Sequence, residues 1–212
     1  MAVVSEIREN RGMIDISLDG VRWISLRKKH FAKQPLEVDE SINPDEYIDS
    51  IAAIQAADCY EAALCMLDIA AQTQGDITRK LMRKGFVLPA AEATAARLCE
   101  NGLIDDRRFA ERIAQSQLKK PVGAYAVKRK LRSKQLSDVD VEAAMEAFDA
   151  EQQAAACRAA AQKLWRKYCA LPAREGRAKL SQALARRGFS WDSIQNAVDF
   201  ITSGDDFFEE YD

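Results

Sequence analysis

The stretch that decides the fold is ITRKLMRKGFVLPAAEATAARL, Ile77 to Leu98, because it recurs twice more with its apolar positions in register: VKRKLRSKQLSDVDVEAAMEAF from Val127 and LSQALARRGFSWDSIQNAVDFI from Leu180. Superposition brings together Ile77, Val127 and Leu180, then Leu81, Leu131 and Leu184. It goes on with Phe86, Leu136 and Phe189, with Ala91, Val141 and Ile194, and with Leu98, Phe148 and Ile201. A unit this small cannot bury its apolar face alone, so a repeat with a period of about fifty residues points to an array of stacked units rather than a fold built around one cleft.

Each block reads as a pair of helices. Apolar residues at i and i+4 lead into Lys84-Gly85-Phe86 or Arg187-Gly188-Phe189, a basic last turn followed by a glycine suited to the left-handed position after a helix. The second helix starts at Ser137, with Asp140 three residues on, or at Ser190, where a hydroxyl can accept from free N–H groups of the first turn. In the middle copy Gln135 replaces the glycine, so that turn is expected to take another conformation or to carry strain. Longer helical runs precede the blocks at Cys59 to Gln72, Asp106 to Lys119 and Gln152 to Cys169, giving three helices per repeat and three repeats.

A different pattern precedes the array. Val3 to Glu9, Met13 to Leu18 and Val21 to Arg27 alternate or run apolar, separated by Asn10-Arg11-Gly12 and Asp19-Gly20; Asp-Gly between such runs signals a hairpin with a type I′ turn. A small antiparallel meander follows, expected to pack on a helix that begins at Asn43-Pro44. Its main expected role is structural, as a cap on the array, with the Met13 to Arg27 region as a peptide-binding edge the alternative. The expected fold is therefore mainly α, three tandem three-helix repeats in an elongated array preceded by a β-meander. Its parts are the meander (1–42), a linking helix (43–58), the repeats (59–103, 104–150 and 151–202) and an acidic-aromatic tail (203–212).

Composition narrows the classes. A chain of 212 residues, 48% hydrophobic and 30% charged, has enough apolar material for a sizeable core. No apolar run in the sequence approaches the roughly twenty residues of a membrane span, and the charged start after Met1 lacks the apolar segment of a secretory leader, so a cytoplasmic location is the default expectation. The cysteines, Cys59, Cys65, Cys99, Cys157 and Cys169, lack Cys-x-x-Cys spacing and read as reduced helix-core residues. The single histidine, His30, reads as solvated or packed, and no glycine-rich phosphate loop occurs. Asp105 and Asp106, at the start of a helix, read as cap and dipole partners rather than as a metal site or general base. Catalysis, cofactors and metals are not expected.

Charge is informative locally. Arg79, Lys80, Arg83 and Lys84 lie in the first block; Lys119, Lys120, Lys128, Arg129, Lys130, Arg132 and Lys134 surround the second; Arg186 and Arg187 lie in the third. Acids follow the middle cluster, at Asp138, Asp140, Glu142, Glu146, Asp149 and Glu151. If the repeats stack in like orientation, basic helices would line one face and acidic helices another, leaving a groove for a polyanion: single-stranded DNA or the acidic surface of a protein filament. The plainer reading of any one of these cations is a solvated last turn. On one helix, Lys130 and Lys134 share a face and Arg129 lies near Arg132.

The segment GLIDDRRFAERIAQSQLKKPVGAYAVKRKLRSKQL, Gly102 to Leu136, resembles the signature of the RecX family of recombination regulators, and ITRKLMRKGF and LARRGFSWDSIQNAVDFI resemble its first and third repeats, so the likeness covers about residues 59 to 202. The family often has arginine at the position of Gln117 and glycine at that of Pro121. The resemblance implies a non-catalytic protein that lodges in the groove of RecA filaments on DNA and restrains the recombinase, including its ATP hydrolysis and strand exchange, in repair and recombination; a monomer is expected. It also singles out Asp105, Asp106, Phe109 and Ala110, with Phe109 and Ile113 expected to hold the middle repeat together. Two other readings stay open: a helix-turn-helix DNA binder acting without RecA, and a helical scaffold, for which a tetratricopeptide period near thirty-four does not fit. The tail from Asp205 to Asp212 interleaves acids with aromatics, and its main expected state is a solvated end with aromatics resting on the last repeat, with a mimic of single-stranded DNA or a segment docking into a partner's basic pocket as the alternative.

Overall fold

The computed structural model describes residues 1–205, and the acidic-aromatic stretch from Asp206 onward lies outside them. The described chain forms two compact units, Met1–Asp105 and a second that starts at Asp106.

The first unit opens with three strands, β1 (Ala2–Asn10), β2 (Met13–Leu18) and β3 (Val21–Arg27), followed by a short helix, α1 (Lys28–Phe31), and a two-residue strand, β4 (Ser41–Ile42). The strands form an antiparallel sheet of order β3-β2-β1-β4. Both tight turns take positive φ at their two central residues, Arg11-Gly12 (49° and 78°) and Asp19-Gly20 (48° and 81°), the geometry that matches strand twist. Along β2 burial alternates, so Ile14, Ile16 and Leu18 enter the core while their neighbours do not. β4 was not legible from the sequence: two residues carry no periodicity, and only their pairing with Ala2 and Val3 makes them a strand.

The sheet packs on α2 (Pro44–Ile69), which starts as expected: the Asn43 side chain accepts from Asp45 N–H, with proline in the first turn. The separate linking helix expected over 43–58 does not exist, because nothing between Asp45 and Ile69 breaks a helix, and the run expected from Cys59 to Gln72 is its second half. Tyr47, Ile51, Gln55, Cys59, Ala63 and Met66 form its buried stripe. By length and composition α2 is the one helix among the described residues that could cross a bilayer, which corrects the expectation of no such run. α3 (Gln74–Arg83) and α4 (Leu88–Glu100) complete the first repeat, and one continuous core joins it to the sheet.

The second unit contains α5 (Asp106–Leu118), α6 (Ala124–Ser133) and α7 (Asp138–Met145), then α8 (Ala150–Trp165), α9 (Ala173–Arg186) and α10 (Trp191–Asp205), each trio with its own core. The in-register residues are those cores: Val127, Leu131 and Val141 in one, Leu180, Leu184 and Ile194 in the other. α8 ends at Trp165, short of the expected Cys169. Cys65 and Cys169 are exposed and Cys99 is half-buried, so only Cys59 and Cys157 fulfil the core reading, with burial pushing both thiols up, Cys157 to about 11.

The block turns explain the glycine pattern. In the first and third copies the helix ends with the glycine N–H bonded three residues back, at 2.9 Å in both, and the following phenylalanine N–H bonded five back, at 3.2 and 3.5 Å. Gly85 has φ 83° and Gly188 φ 82°. Gln135 takes the same left-handed conformation (φ 56°) rather than another one, so strain is the outcome. Neighbours crowd both outer turns, but differently: a Cβ on Gly188 would run into the backbone of Ala126, one on Gly85 only into the movable end of the Met13 side chain. Gln135 is exposed. Gln135→Gly is therefore expected to stabilise the protein by about 1 kcal/mol in urea unfolding, and a loss of stability would contradict this account.

Candidate binding surface

α6 carries the densest charge, and its burial fixes which cations face out. Val127 and Leu131 enter the core, which puts Tyr125, Arg129 and Arg132 on the opposite side at i, i+4 and i+7. Tyr125 is 65% exposed, an aromatic that the reading of charges alone passed over. Its signal was its place one turn before Arg129.

The expected segregation of basic and acidic faces is not what the second unit shows. α6 and α7 pack as a pair, so bases and acids meet: Lys128 bonds Glu142, and Arg132 lies 3.2 Å from Asp138. Lys134 is half-buried and already engaged, so it does not act as the free partner of Lys130. What remains without ion pairs in this unit, among the described candidates, is Lys119, Lys120, Arg129, Lys130, Arg186 and Arg187. Lys119 and Lys120 follow the end of α5 and are exposed. Gln117 is buried, its amide donating to Ser116 Oγ, so the glutamine in the expected arginine's place sits inside the unit.

The middle and third clusters meet at a backbone joint. The N–H groups opening α6 have no side-chain cap of their own; Gly123 donates to the Arg187 carbonyl at 2.9 Å, Tyr125 to the Gly188 carbonyl at 3.1 Å, and Ala124 to Gln153 Oε1 at 3.0 Å. These contacts satisfy donors that a helix start otherwise leaves to water. Trp191, 62% exposed, follows three residues beyond Gly188.

The first cluster lies in the other unit and is partly committed there. Arg79 pairs with the buried Asp76, Lys80 donates to Gln72 Oε1 at 2.5 Å, and the Lys84 carbonyl accepts from Arg27 Nε at 2.8 Å; Arg83 is exposed. Of the motif residues, Ala110 is fully buried, Phe109 and Ile113 pack on its cluster, Asp106 opens α5 and Asp105 precedes it. His30 is fully buried: its Nε2 lies 2.8 Å from Asp58 Oδ2, and Lys29 and then His30 hold that carboxyl down to about 2. Among the described residues no cluster of histidine, cysteine or carboxylate side chains has metal-binding composition.

These features define a class, a tandem three-helix-repeat protein capped by a small antiparallel sheet. The models of the second and third three-helix domains of RecX match residues 105–145 and 150–198, which are the α5–α7 and α8–α10 trios. The regulatory protein RecX of Chlorobaculum tepidum is 34% identical over 140 residues, covering 66% of this chain and 85% of its own. That of Limosilactobacillus reuteri is 26% identical over 215 residues, covering 100% of this chain and 81% of its own. A crystal structure of regulatory protein RecX superposes with a TM-score of 0.63 at 26% identity, covering 94% of this chain and all of the other. The chain belongs to the RecX family of regulatory proteins.

Proposed function

We propose that this protein binds RecA filaments on DNA and restrains their ATP hydrolysis and strand exchange, with no chemistry of its own. The observation that carries the reading is the set of uncommitted cations on the second unit, Lys119, Lys120, Arg129 and Lys130, in a chain of this family. Gathered on the middle repeat, at the end of α5 and on α6, such charges attract a polyanionic filament through several weak contacts, each contributing little alone. Arg129 and Tyr125 together offer a guanidinium and a ring on one side of α6, which suits contact with DNA within the filament.

The test is RecA-dependent ATP hydrolysis on single-stranded DNA, titrated with the full chain. Wild type inhibits below stoichiometry, while Arg129→Glu combined with Lys130→Glu raises the half-inhibitory concentration about tenfold, a change of about 1.4 kcal/mol in binding, with an unchanged thermal melt. Equal inhibition by both proteins removes the assignment of these residues. Tight, sequence-selective binding to naked duplex, with no effect on RecA, replaces the reading by that of a helix-turn-helix DNA binder.

A further inference from the structure

The N-terminal sheet has an open edge. β3 is its outermost strand, and among the described residues the backbone of Val21–Leu26 bonds only to β2. Unpaired N–H and C=O groups in a row are a template for one more strand. Along that edge runs a cleft of about 480 Å3, lined by Trp23, Ile24 and Ser25 of β3, by Asp45 of α2, and by Met82 and Leu88 beside the first block turn. Ile24 and Ser25, which are regularly paired, point to opposite faces of the sheet, so a cleft that both line follows the strand's edge.

A bulge shapes the edge. Ser17 pairs with Arg22 and Ile16 with Ile24, leaving Trp23 as the extra residue, its ring 5.8 Å from that of Tyr47. Bulges re-aim side chains and twist an edge away from long pairing, which disfavours edge-to-edge association of two copies. Beyond the bulge, Ile24–Arg27 is regular, long enough for a short peptide.

Charge decides the kind of peptide. Arg22 is engaged by Asp15 at 2.8 Å, and Arg27 by the Lys84 carbonyl and the Phe86 ring. The Asp45 carboxylate has no partner among the described residues. Met82 and Leu88, 46% and 44% exposed, leave apolar surface open on the cleft wall.

We propose that β3 and this cleft bind an extended segment of a partner protein by strand addition, with one bulky apolar side chain seated against Trp23, Met82 and Leu88 and a lysine or arginine of the segment facing Asp45. Main-chain bonds supply affinity in this mode and the pocket supplies selectivity. The site lies in the first unit and does not depend on the recombinase reading.

The test uses the full chain and a synthetic library of capped hexapeptides, each an alternating Thr/Val strand with one central Leu, Ile, Phe or Trp and either Lys or Glu two residues on. Wild type is expected to retain Lys-bearing members at least about tenfold better than Glu-bearing ones. Asp45→Lys reverses the preference, Met82→Lys abolishes retention, and N-methylation of the peptide backbone does the same, all with wild-type melting. The proposal fails if no member is retained, if Asp45→Lys leaves the preference unchanged, if N-methylated peptides bind equally, or if sedimentation shows the edge occupied by a second copy.

Discussion

Gly188→Ala is expected to cost the second unit about 3 kcal/mol, the sum of a left-handed alanine at about 1 kcal/mol and overpacking at about 2 kcal/mol. The site has φ 82°, and a Cβ there would stand 2.6 Å from Ala126 Cβ and 2.9 Å from its Cα. That neighbour is helix backbone, which cannot swing aside. Gly123→Ala meets the same joint from the other side, since its Cβ would overlap the Gly188 carbonyl. Gly85→Ala is the informative comparison: it shares the left-handed φ of 83°, but its new methyl meets the flexible end of Met13, so a loss of only about 1 kcal/mol is expected. Urea unfolding ranks the three, and hydrogen exchange at Tyr125 reports whether its bond to Gly188 is lost. Equal costs at Gly85 and Gly188 would show that the backbone joint between the repeats does not matter.

That joint marks where sequence reading stops. The repeat register was legible because burial enforces it: Leu81, Leu131 and Leu184 are all fully buried. The two outer glycines were legible as helix ends, but what presses on them was not, since Met13 and Ala126 are distant in sequence and carry no signal for those contacts. The continuity of α2 was missed as well, since a boundary was placed at Cys59 although no residue there breaks the helix. At the surface, counting charge located the basic clusters but not their commitments. The partners of Lys128 and Arg132 lie across the α6–α7 turn, and which cations stay free depends on how two helices pack. Tyr125 was missed because a single aromatic in a helix looks like core until Val127 and Leu131 define the buried side.

Gln55→Leu is expected to cost about 4 kcal/mol, because one buried amide holds three partners that leucine would leave unpaired. The side chain is fully buried; its Oε1 accepts from Val87 N–H at 2.8 Å, while its Nε2 donates to the Gly85 carbonyl at 3.0 Å and lies 3.2 Å from His30 Nδ1. The two backbone partners fix which end of the amide is nitrogen, since flipping it would set donor against donor at Val87 and acceptor against acceptor at Gly85. His30 Nδ1 must then be the acceptor, so its proton is on Nε2 and is donated to Asp58. One glutamine thus sets a histidine tautomer and ties the first block turn to α2 and to the residues following β3. Leucine matches the volume, which isolates the polar loss: Val87 N–H, the Gly85 carbonyl and His30 Nδ1 would each lie buried without a partner, at about 1–3 kcal/mol apiece before relaxation. Urea unfolding measures the loss, and faster hydrogen exchange at Val87 localises it. A cost below about 1 kcal/mol would mean that water reaches the turn and replaces the amide. Because Phe86 and Val87 also line the cleft beside β3, the variant is expected to weaken peptide retention there along with the fold.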